Sequence, residues 1–189
     1  MISLRESLGQ ELLDVFGTTG DHFNHLVAGL SPQAWDTPCY HSRGIIPVRS
    51  LVRGMVFERA IHGWDIRSAL EPAAHLSPDA LAVISEHVAA CLYWFFLPGA
   101  RLSTPLRYRF ALTGALSRQW DIVVEGDKAH MGPAANATSA NATFSCETET
   151  FALMMCGRIG FDAAMGDKGI IPTGDIAWVQ AFPKWFQGV

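Results

Sequence analysis

The chain changes its hydrophobic period once, and the change decides what it can become. Leu81, Ile84, Val88, Leu92 and Phe95 recur three or four apart, the spacing of one helical face. Beyond Pro98-Gly99, Leu106, Tyr108, Phe110 and Leu112 alternate strictly with Arg107, Arg109 and Ala111, the spacing of a strand buried on one side. The two periods cannot share an element. The sequence therefore predicts an α+β protein in two parts: an all-α helical bundle over residues 1–98, and a second domain over 104–189 with an antiparallel sheet covered by helices.

In the first part, Ser3 and Glu6 form a capping box ahead of Leu4, Leu8, Leu12, Leu13 and Phe16. Gly17-Thr-Thr-Gly20 interrupts the pattern as a kink or short turn, and Phe23, Leu26, Val27 and Leu30 resume it. His22 lies at the border of this apolar stripe, with His25 nearly opposite it. Residues 35–47, holding Pro38 and Pro47, read as an irregular connector, with Pro47 in the first turn of a helix that runs to about Leu70. Ser77-Pro78-Asp79 opens the next helix. In the second part, Trp120–Val124, Ala129–Met131 and Ala140–Cys146 read as strands. Helices are expected from about Thr148 to Cys156 and from Thr173 to Phe186, the latter kinked or shortened by Pro183.

The helix ending near Leu70 carries the chemistry. At about 100° per residue, Glu58, His62 and Asp65 fall in one stripe with Leu51 and Met55. A carboxylate withdrawn from water costs several kcal/mol unless paired, hydrogen-bonded or bound to metal. Glu and His four apart can both reach one divalent ion; a Glu–His hydrogen bond that pins the helix, or a solvated stripe, explains the same spacing. The net charge of −4, without a basic stripe, argues against a nucleic-acid partner. Cys39, Cys91, Cys146 and Cys156 are scattered, without the pairing of a zinc knuckle or disulfide framework. No signal-peptide pattern opens the sequence, and the longest apolar run, Ala89–Leu97, is too short to span a bilayer, so a cytoplasmic location is expected.

Trp35-Asp-Thr-Pro-Cys39, followed by Glu58-x-x-x-His62-Gly-Trp-Asp65 with Arg67 and Ala69-Leu70, resembles the helical domain of the mycothiol-dependent maleylpyruvate isomerase family, one of the DinB-like bundles. Residues 140–189 resemble the sterol-carrier-like domain that often follows it, through Ala-Thr-Phe144-Ser-Cys-Glu-Thr-Glu-Thr-Phe151, Gly157-Arg158, Ala163-Ala164 and Gly174-Asp175. The resemblance implies a divalent metal, often zinc, held by Glu58, His62 and a histidine from an earlier helix, activating a low-molecular-weight thiol such as mycothiol. His22 is the histidine whose position suits that third role, with His41 second; Arg158 is the candidate for the family's catalytic arginine. The family's bundle has a further helix pair ahead of the motif, for which the segment before Glu58 has no room, so the bundle is expected to be incomplete.

Two functions follow from these residues. The first is binding of a hydrophobic, lipid- or sterol-like small molecule in the C-terminal domain, with Phe144, Phe151, Met154, Met155, Trp178 and Phe182 lining the cavity and the metal site weak or vestigial. Ordinary core packing explains the same aromatic and Met stripe. The alternative is a metal- and thiol-dependent isomerase or transferase using Glu58 and His62. Too few helices to cover the stripe from Leu51 to Leu70 leave two readings: a two-fold homodimer, whose partner copy supplies the missing helices, or a monomer in which the C-terminal sheet domain folds back over the stripe.

Overall fold

The computed structural model describes residues 11–42, 44–99, 102–114, 116–135, 138–167 and 169–188. It is a mixed α+β chain that divides into two compact units, one ending at Val52 and one running from Arg53 to Val189. The boundary expected at residues 98–104 falls inside the second unit.

The first unit opens with helix α1 (Glu11–Ala28), which runs unbroken through Gly17 and Gly20 where a kink or turn was expected. Each glycine costs a helix about 1 kcal/mol relative to alanine, a penalty that eighteen residues absorb without breaking. Among the described residues up to Val52, none is buried. His22 and His25 are both exposed on α1, so His22 does not look into a core. The expected capping box at Ser3 and Glu6 lies outside the described residues. The connector contains a short hairpin, β1 (Pro38–His41) against β2 (Gly44–Pro47), with Cys39 opposite Ile46 and Tyr40 opposite Ile45. The first hundred residues are therefore not all helix: Tyr40 and the β-branched Ile45-Ile46 pair favour strand, and Gly44 supplies the φ of 120° that the turn requires. Pro47 closes β2, and α2 (Val48–Leu70) begins one residue later.

In the second unit, the C-terminal part of α2 is followed by α3 (Pro78–Phe95), whose N-cap Ser77 accepts from the Ala80 N–H. Strands β3 (Leu106–Thr113), β4 (Arg118–Glu125) and β5 (Lys128–Pro133) form a meander. The chain then crosses to the other edge of β3 as β6 (Ala142–Glu147), and β7 (Ile171–Gly174) completes a sheet of order β5-β4-β3-β6-β7. The β3–β6 pair is parallel, so the sheet is mixed rather than antiparallel as expected. Helices α4 (Thr148–Met155), α5 (Phe161–Gly166) and α6 (Ile176–Trp185) complete the unit. Helix α6 starts three residues later than expected because Thr173 and Gly174 belong to β7; Asp175 caps it through the Ala177 N–H.

The strand alternation puts Tyr108, Phe110 and Phe144 on one face of the sheet, fully buried with Phe151 and Phe182. Their rings pack at 4.9 Å (Phe110–Phe151) and 5.1 Å (Phe110–Phe144 and Phe144–Phe182), contacts worth about 0.5–1.5 kcal/mol each beyond their buried area. On the opposite face Asp121, 3% exposed, receives Arg109 Nε at 2.8 Å, Arg109 Nη2 at 3.0 Å and Arg107 Nη1 at 2.9 Å. Arg109 Nη2 also donates to the carbonyls of Ala135 and Thr138, and the Ala135 N–H donates to Asp121. This network pins the crossover that makes β6 parallel to β3. Burial pushes the Asp121 carboxyl up, but Arg109, the Ala135 N–H and Arg107 outweigh it and hold the group below the ordinary carboxylate range.

Replacing Asp121 by Ala leaves two guanidiniums facing each other without a counter-charge and is expected to cost roughly 3 kcal/mol in urea unfolding. A loss below about 1 kcal/mol, the size of an ordinary substitution, would show that the crossover does not depend on this ion pair.

Candidate functional site

Helix α2 turns two adjacent stripes toward different surroundings. Phe57 and Ile61, four apart, are buried, and Trp64 is half-buried with its Nε1–H donated to the Ala74 carbonyl at 2.9 Å. Glu58, His62 and Asp65 each stand one residue further on, about 100° round the helix, and so lie along the border of the buried face. The side chains of Glu58 and His62 are 53% and 63% exposed and that of Asp65 is 33% exposed. The stripe is thus not withdrawn from water, and no large desolvation cost has to be offset by a metal.

The border stripe meets Arg158, delivered by the end of α4. Cys156 caps that helix, and Gly157 follows at φ 71°, a conformation that L side chains resist. The Gly157 N–H bonds to the Met154 carbonyl and the Arg158 N–H to the Leu153 carbonyl, the paired bonds of a Schellman ending. This reversal carries the Arg158 side chain back to α2. Its Nε and Nη2 donate to the two oxygens of Asp65 at 3.0 and 2.8 Å, and its Nη1 to the Cys156 carbonyl at 2.6 Å. Asp65 Oδ2 also lies 3.1 Å from His62 Nδ1, while His62 Nε2 lies 3.2 Å from Glu58 Oε2. The imidazole thus stands between two carboxylates, and in its neutral form it has one N–H to give. The Arg158 hydrogen bonds hold the Asp65 carboxyl below its ordinary range; burial opposes them and His62 assists.

These groups edge a cleft of about 490 Å3 lined by Phe57, Glu58, Ile61, His62, Trp94, Phe95, Cys156 and Arg158. Its walls come from α2, the end of α3 and the end of α4. Cys156 is 2% exposed, and burial pushes its thiol up to about 12, so it meets the cleft as a small neutral group.

The structure brings Glu58, His62 and Arg158, three of the residues singled out from sequence, into this one cleft. His22 belongs to the first unit, and among the described residues no group of three His, Cys, Asp or Glu side chains is placed to hold a metal ion. The donors do not fit a divalent metal: the two nitrogens of His62 face different carboxylates, and Asp65 is committed to Arg158. Phe144, Phe151, Met154, Met155 and Phe182 are buried, and Trp178 is half-buried with its carbonyl accepting from the Tyr108 hydroxyl at 3.1 Å. None of these six lines the cleft, because their side chains belong to the packed core against the sheet. The cleft walls Phe57, Ile61, Trp94 and Phe95 went unread in the sequence. Their signal was the apolar residue immediately before Glu58 and before His62, and the Trp94-Phe95 pair at the end of α3.

No family model matches the chain, and no curated protein does. Among solved structures it is similar to sterol carrier protein 2 like 2 of Aedes aegypti (17% identity, 55% of this chain and 94% of that one, TM-score 0.41). A UbiJ-SCP2 ubiquinone synthesis protein gives 17% identity over 72% of this chain and 93% of that one, at a TM-score of 0.35. A sec-alkyl sulfatase gives 11% identity and a TM-score of 0.39 over 60% of this chain, which spans 17% of the sulfatase. Sterol-carrier-like domains are thus among the structural neighbours, all of them distant. The DinB-like bundle finds no support, since the described residues between 11 and 70 hold two α-helices with a short 3-10 helix and a hairpin between them. No helix among the described residues is long and apolar enough to cross a membrane.

Asp65 contributes stability through its lowered pKa, so that contribution is present above the unfolded-state value near 3.8 and is lost as the pH falls through the lower folded-state value. Asp65→Asn is expected to cost about 1 kcal/mol at pH 7, a partly exposed pair being screened by solvent, and the difference from the parent should shrink steadily below pH 4. Urea midpoints across pH 7 to 3 check this; a difference that stays constant over that range contradicts it.

Proposed function

We propose that the cleft beside Glu58, His62 and Arg158 binds a hydrophobic small molecule with one polar end. The observation that carries this is the lining itself: Phe57, Ile61, Trp94 and Phe95 form apolar walls, and polar groups gather at one border of a space of about 490 Å3. That volume lies within the range of small-molecule sites, roughly 300–1,000 Å3, and the mix of walls and convergent polar groups is the usual one. The ligand is placed in this cleft rather than among Phe144, Phe151 and Phe182, which are buried and whose rings pack on one another (Phe144 on Phe182) or on Phe110 (Phe151). A metal- and thiol-dependent reaction has less behind it, given the commitments of His62 and Asp65.

An apolar fluorophore should bind the full chain saturably and quench the emission of Trp94, which is 41% exposed. Trp94→Ala, a change at a partly exposed side chain, should weaken binding about tenfold, equivalent to about 1.4 kcal/mol. Unsaturable binding, or an affinity unmoved by Trp94→Ala, counts against the cleft.

Assembly belongs to the same proposal. An isolated helix of this length is marginal in water, and α1 has Leu13 77% and Phe16 70% exposed with no residue buried. We propose a two-fold homodimer that covers this face. Sedimentation equilibrium at tens of micromolar should give twice the 20.6 kDa of one chain; a mass that stays at one chain rules the dimer out.

A further inference from the structure

Given that the cleft binds a small molecule, the segment that follows α6 bears on how wide a molecule it takes. That segment lies against the two helices whose ends wall the cleft. On the α3 side, the Leu97 N–H donates to the Trp185 carbonyl at 2.7 Å, Phe96 and Phe186 form an antiparallel bridge, and the Gln187 N–H donates to the Phe95 carbonyl at 3.0 Å. The rings reinforce the contact: Phe96 stacks on Trp185 at 6.1 Å with the planes 7° apart, and Phe186 packs on Phe182 at 4.8 Å. Trp185 and Phe186 are buried, so the segment is fixed to the core as far as Phe186.

One residue beyond Gln187 the segment reaches α4. A Cβ on Gly188 would fall on the backbone N and Cα of Gly157 and lie 2.7 Å from the carbonyl carbon of Cys156, closer than Cβ atoms come to backbone. Glycine is the residue that permits such an approach. Phe95 and Cys156 both line the cleft, and they are spaced by the single step from Gln187 to Gly188, a hydrogen bond holding one side and a backbone contact the other. Across a trans peptide that step is about 3.8 Å, which leaves little slack. The end of α4 does not yield by itself, because the Gly157 and Arg158 N–H groups are tied to the Met154 and Leu153 carbonyls. A side chain at position 188 therefore either drives the ends of α3 and α4 apart or releases Gln187 from Phe95. Both open the cleft where Phe95 and Cys156 line it.

We propose that residues 185–188 are a strap that sets the width of the cleft, and with it the cross-section of the apolar ligand the cleft accepts. Gly188 is its positioning residue. None of the four lines the cleft, so they act through Phe95 and Cys156 and not by touching the ligand.

Two neutral alcohols of different cross-section, octanol and 1-adamantanol, titrated calorimetrically into the full chain, read that width. Each carries one hydroxyl, so the polar border acts alike on both. Gly188→Val should raise the affinity for adamantanol relative to octanol about tenfold, the discrimination that one methylene of pocket size can supply. Gly188→Ala should move the ratio the same way by less, and it decides the matter if the valine variant does not fold. Gln187→Ala, which keeps the backbone bond at an exposed position, should leave the ratio at the parent value. A ratio unmoved by the Gly188 variants, equal losses of both alcohols, or an equal shift in Gln187→Ala would overturn the strap while leaving the cleft. Failure of the parent chain to bind either alcohol would overturn the binding function itself, and the strap with it.

Discussion

The second unit depends on one packed layer of rings. Phe110 on β3 and Phe144 on β6 lie side by side because the parallel register pairs those two residues, and Phe151 of α4 and Phe182 of α6 pack onto them. Interiors are packed to crystal-like density, so this layer fixes where the helices can sit on the sheet. Once α4 is held by Phe151, its Schellman ending fixes the point at which Arg158 leaves it. The cleft border is therefore set by the core and not by the polar groups themselves.

The opposite face of the same sheet uses different physics. Arg107, Arg109 and Asp121 alternate with the core residues, as strands require, and here an ion pair with 3% exposure of the carboxylate replaces apolar packing. A buried pair adds little stability compared with well-packed apolar residues, yet removing one partner is costly. Its role is to specify the crossover: the same guanidinium that holds Asp121 holds the carbonyls of Ala135 and Thr138. A second polar clamp, Glu149 on the Leu76 N–H at 2.7 Å and on His75 at 2.8 Å, ties the first turn of α4 to the segment ahead of α3.

The cleft shows how a polar stripe becomes a site without burial. Glu58 and His62 stay half exposed, and their arrangement comes from a neighbour ninety-three residues from Asp65 along the chain. Arg158 neutralises Asp65 in a bidentate pair, and Asp65 in turn faces one nitrogen of His62, leaving the other to Glu58. Metal ligation asks for side chains converging on one point, whereas these four groups form a chain, each facing the next.

Sequence alone determined the elements whose physics is local. The helical period through Val88 and Phe95 with its Ser77 cap, the alternation through Leu106–Leu112, and the grouping of Glu58, His62 and Asp65 on one helical stripe all follow from backbone geometry. Short elements escaped it: β1, β2 and β7 have four residues each and α5 fewer than two helical turns, too few to show their periods, and Pro38, Pro47 and Pro172 speak against strand until a partner is present. Tertiary structure alone decided three things. It made the β3–β6 pair parallel, because pairing partners are chosen by the crossover and its Arg109 clamp. It assigned Phe144, Phe151, Met154, Met155 and Phe182 to packed core, because an aromatic stripe reads the same in sequence whether it meets a cavity or another ring. And it brought Arg158 to Asp65, because the contact depends on where α4 ends against α2, and no spacing along the chain encodes that.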